Sequence, residues 1–476
     1  MVVLRLAMRV ISVISQLIMV RLLTPTDFGL VAGAGAAYAI LDGLTETSMT
    51  LLLVQMPRPE RQHYDTAWTL VALRGLLVGA VLWLSGPLMA AYLHDARVLG
   101  IVQVLAIVPV VQGLESVGMI RLQRDLHFGR IFFYQLANKA VGFLTAVPLA
   151  LMYRNYWALV LGGAAARLVS IPLSYVISPH RPRFSLAGAM AMVHFSKWLV
   201  LTNVLTMADN FMMPMTLGRV ADLHALGLYQ VSYDLAALPA SEIAAPVRRP
   251  MHAGYARVAD DLAALRQQVL GGLGVLVTVM VPMAAGIAAT AAYVVHVALG
   301  PQWVAATPVL ALAAAYALFD AIGHFTGGIY MVCNAQRRYV TIMAACLALR
   351  LALVVPAAVY GGVVAAVTML TLTAVANAVV WFAGLRQLIG VTAADLVRPV
   401  WRSFAASLAM LVALASVAMV WPQSTQFGAM LAQWGARCAL GAGVHIATQL
   451  ALWRFCGAGA GPEATLLAAI RTRFAG

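Results

Sequence analysis

A chain of 476 residues that is 62% hydrophobic and only 10% charged is neither a soluble domain nor a disordered segment. Mean hydropathy of +0.88, with apolar runs of about 20 residues repeated along the chain, specifies an all-α polytopic membrane protein. A net charge of +14 would suggest nucleic acid in a soluble chain; here the hydropathy overrides that reading, and no nucleic-acid partner is expected.

Fourteen spans are predicted, near 2–22, 28–54, 67–93, 98–119, 131–151, 156–177, 191–217, 225–247, 268–298, 304–332, 338–359, 361–385, 402–421 and 432–455, with Pro, Gly and charged residues at most joints. The first span resembles a secretory signal only superficially, because no small-residue cleavage site follows it and apolar sequence continues. With the N-terminus placed in the cytoplasm, the loops after even-numbered spans and the C-terminal tail hold nineteen arginines. The opposite side holds four, Arg21, Arg97, Arg154 and Arg219. Both termini are therefore expected in the cytoplasm. The four cysteines, Cys333, Cys346, Cys438 and Cys456, show no CxxC or metal-ligand spacing and are expected to be free thiols, with no metal site.

The chain also repeats itself. RLLTPTDFGL at 21–30, read as the outer loop of a hairpin, precedes RVADLHALGL at 219–228 by 198 positions, and both begin with Arg and end in Gly-Leu. GLESVGMIRLQRDLHFGR at 113–130 parallels AIGHFTGGIYMVCNAQRR at 321–338, each ending a span in a basic patch; YWALVLGG at 156–163 parallels YGGVVAAV at 360–367. Offsets near 200 residues divide the chain into six-span lobes at 1–185 and 186–390, in the same orientation, with two extra spans and a cytoplasmic tail at 391–476. Parallel halves with a site between them near the midplane are a transporter plan.

Ten ionisable groups fall well inside spans: Arg9, Asp42, Arg74, Lys139, Arg167, Lys197, Asp209, Asp234, Asp320 and Arg350. Each costs roughly 2.5–3.5 kcal/mol at the centre of a lipid-facing helix, so they are expected to face a wet cavity or one another. Snorkelling to the cytoplasmic interface is the competing reading for Arg74, Lys139 and Lys197. Arg437, near an outer end, is expected to be an interfacial anchor. Six bases against four acids favour an anionic substrate, and Arg9, Arg74, Lys139, Arg167, Lys197 and Arg350 are the candidates to meet it. Asp42 and Glu46 are four residues apart and share a helix face, where mutual repulsion favours binding a proton or sodium ion. The alternative is an ion pair from these acids to Arg5 or Arg9. Asp209 and Asp234 are the corresponding coupling candidates of the second half. Glu115 and Glu242, nearer cytoplasmic ends, are weaker ones.

The pattern R-LLTP-DFGLVA at 21–32 resembles the Wzx-type oligosaccharide flippases of the multidrug/oligosaccharidyl-lipid/polysaccharide (MOP) exporter superfamily. The resemblance continues through LLLVQ at 51–55, RLQRDLHFGR at 121–130, YWALVLG at 156–162, LGLYQVSYDLAALP at 226–239 and LGPQWVAATPVLALAA at 299–314, and covers roughly residues 15 to 400. The chain departs from that family at Asp209-Asn210, where an acid followed by Lys is common, at Asp234, where a base is common, and at Glu46-Thr47-Ser48, where Glu-Leu-Gly is common. It also begins late against the family, as a late start codon would produce.

The resemblance implies two six-helix lobes of the MOP/MATE type that open alternately to the two sides of the bacterial inner membrane. It implies as substrate a polyprenyl-diphosphate-linked oligosaccharide, moved to the outer leaflet for surface polysaccharide assembly. It implies no enzymatic activity and no cofactor beyond a coupling proton or sodium ion. The implied partners are membrane lipids and the polysaccharide polymerase and export proteins. By analogy with the related lipid II flippases, spans 13 and 14 are expected to cradle the lipid tail. Two rival readings differ in what they require. A MATE-like drug or metabolite antiporter needs acids to dominate its cavity. A membrane glycosyltransferase or polymerase needs long outer loops or catalytic motifs such as DxD, HExxH or GxSxG, and neither occurs.

Overall fold

The structure is a computed structural model that describes residues 2–45, 53, 56, 59–178, 180–187, 189, 197–241, 254–255, 257–258, 261–457, 461–465 and 468. Among them, all regular structure is helical. Among the described residues, eight helices are long and apolar enough to cross a membrane, and a further pair passes the same test together although bent by 61°. The chain divides into two compact units, residues 1–227 and 228–476.

The first unit holds α1 (Val2–Leu22), α2 (Pro25–Thr45), α3 (Arg61–Tyr92), α4 (Arg97–Gly113), α5 (Gly118–Arg124), α6 (Phe128–Tyr153), α7 (Trp157–Ile177), α8 (Lys197–Val220) and the start of α9 (Leu223–Ala236). In lipid there is no hydrophobic gain from helix association, so close packing and hydrogen bonds hold such a bundle together. α3 pairs with α4, α6 with α7, and α2 packs on both α4 and α8. The predicted fourth span ends earlier than expected, at Gly113, and the chain turns into the bent helix α5.

Residues 25–27, expected in the outer loop before the second span, are already helical. The reason is local. Pro25 occupies the first helical position, where its missing N–H costs nothing. Asp27 Oδ2 accepts from Thr24 N at 3.0 Å and from Thr24 Oγ1 at 2.7 Å, and Thr24 Oγ1 accepts from Asp27 N at 3.3 Å. That is a reciprocal cap with Asp in the third helical position. Asp222, 198 residues after Thr24, caps α9 in the same place by accepting from Ala225 N at 2.6 Å.

The sequence repeat then meets itself in space. A Cβ added to Gly29 would lie 1.7 Å from the Leu223 carbonyl oxygen, and one added to Gly227 would lie 1.8 Å from the Pro25 carbonyl oxygen. Both members of each relation are offset by the same 198 positions, so the start of α2 and the start of α9 cross through a local pseudo-two-fold. Only a hydrogen on each Cα fits this approach.

The second unit holds the rest of α9, then α10 (Leu262–Ala289), α11 (Ala306–Val332), α12 (Gln336–Ile389), α13 (Ala393–Val420) and α14 (Phe427–Phe455). The predicted spans 11 and 12 form one helical run of 54 residues, broken at Gly362, whose φ of 65° and ψ of −160° suit glycine alone. Leu265, Val269, Leu273 and Val277 of α10 pack with Phe325 and Ile329 of α11 and Trp381 of α12. Tyr330 stands edge-on to Trp381 at 5.4 Å and donates to its carbonyl oxygen at 3.2 Å.

The two C-terminal helices dock on α10 through polar groups. Ser403 of α13 bonds Thr278 of α10 at 3.1 Å. Gln433, Arg437, Gly441, His445 and Gln449 recur every four residues on α14, and all are buried. Glu463 closes the end of this stripe, accepting from Arg402 at 2.9 Å and from Gln449 at 2.7 Å. Arg437, expected as an interfacial anchor, is instead 6% exposed. It donates to the Trp421 carbonyl at 2.5 Å and stacks over the Tyr293 ring at 4.7 Å. A face of α14 so rich in buried donors and acceptors serves helix docking, because each such group left unpaired in hydrocarbon would be costly.

Candidate functional site

In the first unit, Asp42 of α2 and Arg74 of α3 are joined by several contacts. Arg74 Nη2 lies 2.6 Å from Asp42 Oδ1 and 2.6 Å from the Asp42 carbonyl oxygen, and its Nε donates to Thr45 Oγ1 at 3.1 Å. Asp42 therefore offers both its carboxylate and its backbone carbonyl, which also accepts from Thr45 Oγ1 at 3.2 Å, to one guanidinium, which suits the forked donor geometry of Arg. Asp42 is thus paired with Arg74 across to α3, and Arg74 points to that partner, where snorkelling was the competing reading; the side chains of Arg5 and Arg9, the other partners considered for Asp42, lie outside the described residues. Both side chains stay partly open, 22% for Arg74 and 32% for Asp42, so the pair borders accessible space.

Further polar groups line the same unit. Tyr38, one turn before Asp42, donates to Gln112 of α4 at 3.1 Å, and Arg167 of α7 lies within electrostatic reach of its hydroxyl. Lys139 of α6 bonds Ser12 of α1, so its ammonium is directed at a neighbouring helix. Glu115 accepts from Ser170 of α7 at 2.5 Å. Asp209 lies in α8, in this unit and not with Asp234. Glu46 and Glu242 lie outside the described residues, as do the side chains of Arg9 and Lys197.

The second unit builds a different arrangement. Arg350 of α12 is 4% exposed, and its Nη2 lies 3.3 Å from Asp320 Oδ1 on α11. The other Asp320 oxygen lies 3.3 Å from His324 Nδ1, and Tyr316 donates to Oδ1 at 3.2 Å. The guanidinium also sits 5.5 Å from the Tyr316 ring centre. With the Asn377 amide turned to satisfy its neighbours, its oxygen accepts from Arg350 Nε at 3.2 Å. Arg350 is thus enclosed by an acid, an aromatic face and an amide. Asp234 of α9 accepts from Gln230 at 3.0 Å. The pairing of Asp320 with Arg350 spans 30 residues and two helices, and no sequence spacing announces it.

Sequence reasoning passed over two buried acids of the first unit. Asp27, besides capping α2, accepts from the Tyr156 backbone N–H at 3.1 Å and so ties α2 to the α6–α7 turn. Asp65, near the start of α3, lies 3.2 Å from His180 Nε2 and accepts from the Arg183 backbone N–H at 3.2 Å. It is joined there by Phe184, whose ring stands edge-on to Trp68 at 5.2 Å. The segment after α7 is thereby strapped onto α3. The motif R-LLTP-DFG contains Asp27, so its cap was readable; Asp65 sits in no motif.

Comparison with known proteins places these sites in a family frame. The family model described as polysaccharide biosynthesis protein matches residues 18–308. The lipopolysaccharide biosynthesis protein WzxC of Escherichia coli K12 is 22% identical over 418 residues, covering 84% of this chain and 83% of that protein. The succinoglycan biosynthesis transport protein ExoT of Rhizobium meliloti is 24% identical over 301 residues, covering 62% of this chain and 60% of that protein. Among solved structures, the lipid II flippase MurJ in an inward closed conformation superposes with a TM-score of 0.73 at 10% identity, over 95% of this chain and 98% of that one. An inward-facing MATE family transporter of the MOP superfamily superposes with a TM-score of 0.60 at 13% identity, over 79% of this chain and 93% of that one.

Proposed function

The chain belongs to the polysaccharide biosynthesis protein family, and on that membership we propose that it is a Wzx-type flippase for a polyprenyl-diphosphate-linked oligosaccharide. It is a multi-pass helical membrane protein with the MurJ and MATE fold, and a transporter by family, not an enzyme. The observation that carries the reading is the family match across residues 18–308, supported by a WzxC relative spanning 83% of its own length. In this proposal the protein sits in the bacterial inner membrane with both termini in the cytoplasm. The functional lobes are 1–185 and 186–390, with 391–476 appended, and the sugar-bearing headgroup crosses between outward- and inward-open states while the prenyl tail stays in lipid. The polysaccharide polymerase and export proteins would act on the delivered product.

The diphosphate would be met by basic groups, and among Arg9, Arg74, Lys139, Arg167, Lys197 and Arg350 the structure favours those with open surface. Arg74 presents a partly open guanidinium already bound to one carboxylate. A diphosphate oxygen can replace that carboxylate on the same fork without desolvating a new charge. Arg167 and Lys139 are exposed on neighbouring helices of the same unit. Arg350, being enclosed, would act only after Asp320 lets go. Asp42, Glu46, Asp209 and Asp234 remain the ion-coupling candidates. Displacement of Asp42 from Arg74 would free it to take up a proton or sodium ion, linking headgroup binding to coupling.

The test is translocation in proteoliposomes. A labelled polyprenyl-diphosphate oligosaccharide is reconstituted with the protein and probed with an impermeant sugar-oxidising reagent, with and without a pH gradient. Protein-dependent protection or exposure of the sugar is the expected result. No movement with several sugars, alongside gradient-driven efflux of a cationic dye, would replace the flippase by a drug antiporter.

A further inference from the structure

One of the quoted motifs contains none of the candidate headgroup or coupling residues. RLQRDLHFGR at 121–130 covers α5, the turn after it and the first residues of α6. α5 leaves the line of α4 at 61° and packs against α6 and α7, so this end of the helix bundle carries a short element lying across the spans. The start of α6 and the end of α7 meet there. Between them opens a groove of about 530 Å³ lined by Gly129, Arg130, Phe133, Val176 and Ile177. Gly129 presents no side chain to the groove, and its own Cβ position is open space. Arg130 and Phe133 are three residues apart on α6 and so share a helix face. Phe133 is 58% and Val176 78% exposed, while Leu126 and Phe128 project from the turn beside them.

We propose that this groove binds an anionic membrane phospholipid, with one acyl chain against Phe133, Val176 and Ile177 and the phosphate at Arg130. The geometry sets the chemistry. Apolar walls reject a soluble anion, and a guanidinium at one end of them matches a ligand that is apolar along its length and charged at its head. The sign of the head follows from the local charge: residues 121–130 hold three arginines against one aspartate, and that aspartate, Asp125, lies 3.9 Å from Arg121. A cluster of this kind at the end of a span attracts an anionic headgroup over a zwitterionic one. An element that is apolar on one side and basic on the other rests at the level of the headgroups. The site would fasten α5, α6 and α7 to the membrane surface at that end.

The test uses the full chain in detergent, offered equal amounts of phosphatidylglycerol and phosphatidylethanolamine and read by native mass spectrometry. The expected result is retention of phosphatidylglycerol over phosphatidylethanolamine by roughly fivefold, the effect of one basic side chain at an anionic surface. Arg130→Gln should remove that preference, Val176→Trp should reduce bound lipid of either kind by filling the groove, and Arg97→Gln, in the turn between α3 and α4, should change neither. Thermal melting of each purified variant separates a lost site from a lost fold. Equal retention of the two lipids by the unaltered chain overturns the proposal, as does an undiminished preference in a folded Arg130→Gln variant. Displacement of the phosphatidylglycerol by polyprenyl diphosphate, with loss of that displacement in Arg130→Gln, also overturns it, by making the groove a substrate site.

Discussion

Asp42–Arg74 in the first unit and Asp320–Arg350 in the second both join neighbouring helices, and the two pairs differ in exposure and surroundings. Asp42–Arg74 in the first unit is close, at 2.6 Å, but both side chains are partly open and the arginine leans on a backbone carbonyl and a threonine. Asp320–Arg350 in the second unit is longer, at 3.3 Å, yet the arginine is almost wholly enclosed, and Tyr316, His324 and Asn377 complete the shell. Distance alone would rank the first pair as the stronger. Enclosure reverses the ranking for stability, because removing one member of a buried pair strands the other charge. Openness makes the first pair the better place for an incoming anion. The comparison gives the enclosed pair a structural part and makes the open one the pair proposed for exchange.

The largest effect should come from breaking the enclosed pair. Asp320→Ala leaves Arg350 buried beside an aromatic ring and an amide, and should cost about 3–5 kcal/mol, the usual penalty for an orphaned buried charge. The purified variant should melt far lower or fail to accumulate in membranes. The double variant Asp320→Leu with Arg350→Met removes both charges and should recover most of that loss. If Asp320→Ala melts like the unaltered chain, Arg350 is not held as the structure shows and the contrast between the pairs fails.

The next effect tests whether the first unit has rigid parts of its own beside its open pair. Gly227→Ala places a methyl group 1.8 Å from the Pro25 carbonyl, so the α2–α9 crossing must shift. Overpacking of this kind typically costs about 1–3 kcal/mol. The lowered melting point should be matched by Gly29→Ala, its counterpart 198 residues earlier, and the double variant should cost less than the sum because both substitutions force the same displacement. Strict additivity would mean that the two glycines do not share one contact.

Smaller still on stability is Arg74→Gln. Glutamine keeps a donor for Thr45 and the Asp42 carbonyl and removes only a partly open charge pair, so the melting point should move by an amount equivalent to about 1 kcal/mol or less. Translocation should nevertheless fall sharply if, as proposed, this partly open guanidinium meets the diphosphate. Unchanged translocation by a folded Arg74→Gln variant would return the headgroup role to Arg167 or Lys139.

How much of this was legible beforehand depends on whether the determinant was local. The Thr24–Asp27 cap and the repeat at 219–228 are short patterns with a mechanism, and the structure places both where chain order says, except that helix starts earlier than the hydropathy does. Hydropathy missed this because Pro25, Thr26 and Asp27 are polar or small and weigh against a span, while the cap they form favours a helix. The ten intramembrane charges were legible as a set, but not who would pair with whom. Asp42 finds Arg74 at a distance of 32 residues and Arg350 finds Asp320 at 30, through packing that no spacing encodes. The buried stripe on α14 was readable in principle, since Gln433, Arg437, His445 and Gln449 keep a four-residue rhythm. It was passed over because one arginine near a span end looks like an anchor when read alone.

The smallest effect belongs to a third pair, in the turn between α3 and α4, where neither enclosure nor ligand is at stake. The Arg97 guanidinium hydrogen-bonds Asp95, with Nη2 2.7 Å from Oδ2, and holds its carboxyl below the usual aspartate range. A carboxyl depressed on folding contributes stability that is complete above its unfolded value of about 3.9 and is lost as pH falls through the lower folded value. At neutral pH the contribution is therefore fully present. It is also small, since Arg97 is 49% exposed and solvent screens the pair. Arg97→Gln should change the melting point at pH 7 by an amount equivalent to less than about 1 kcal/mol. The difference from the unaltered chain should shrink as the pH is lowered through the aspartate range, and should weaken in high salt, which screens exposed pairs and spares enclosed ones. A salt-sensitive Asp320→Ala, or a salt-insensitive Arg97→Gln, would show that exposure does not order these three pairs, and the division of labour between the two units would have to be argued on other grounds.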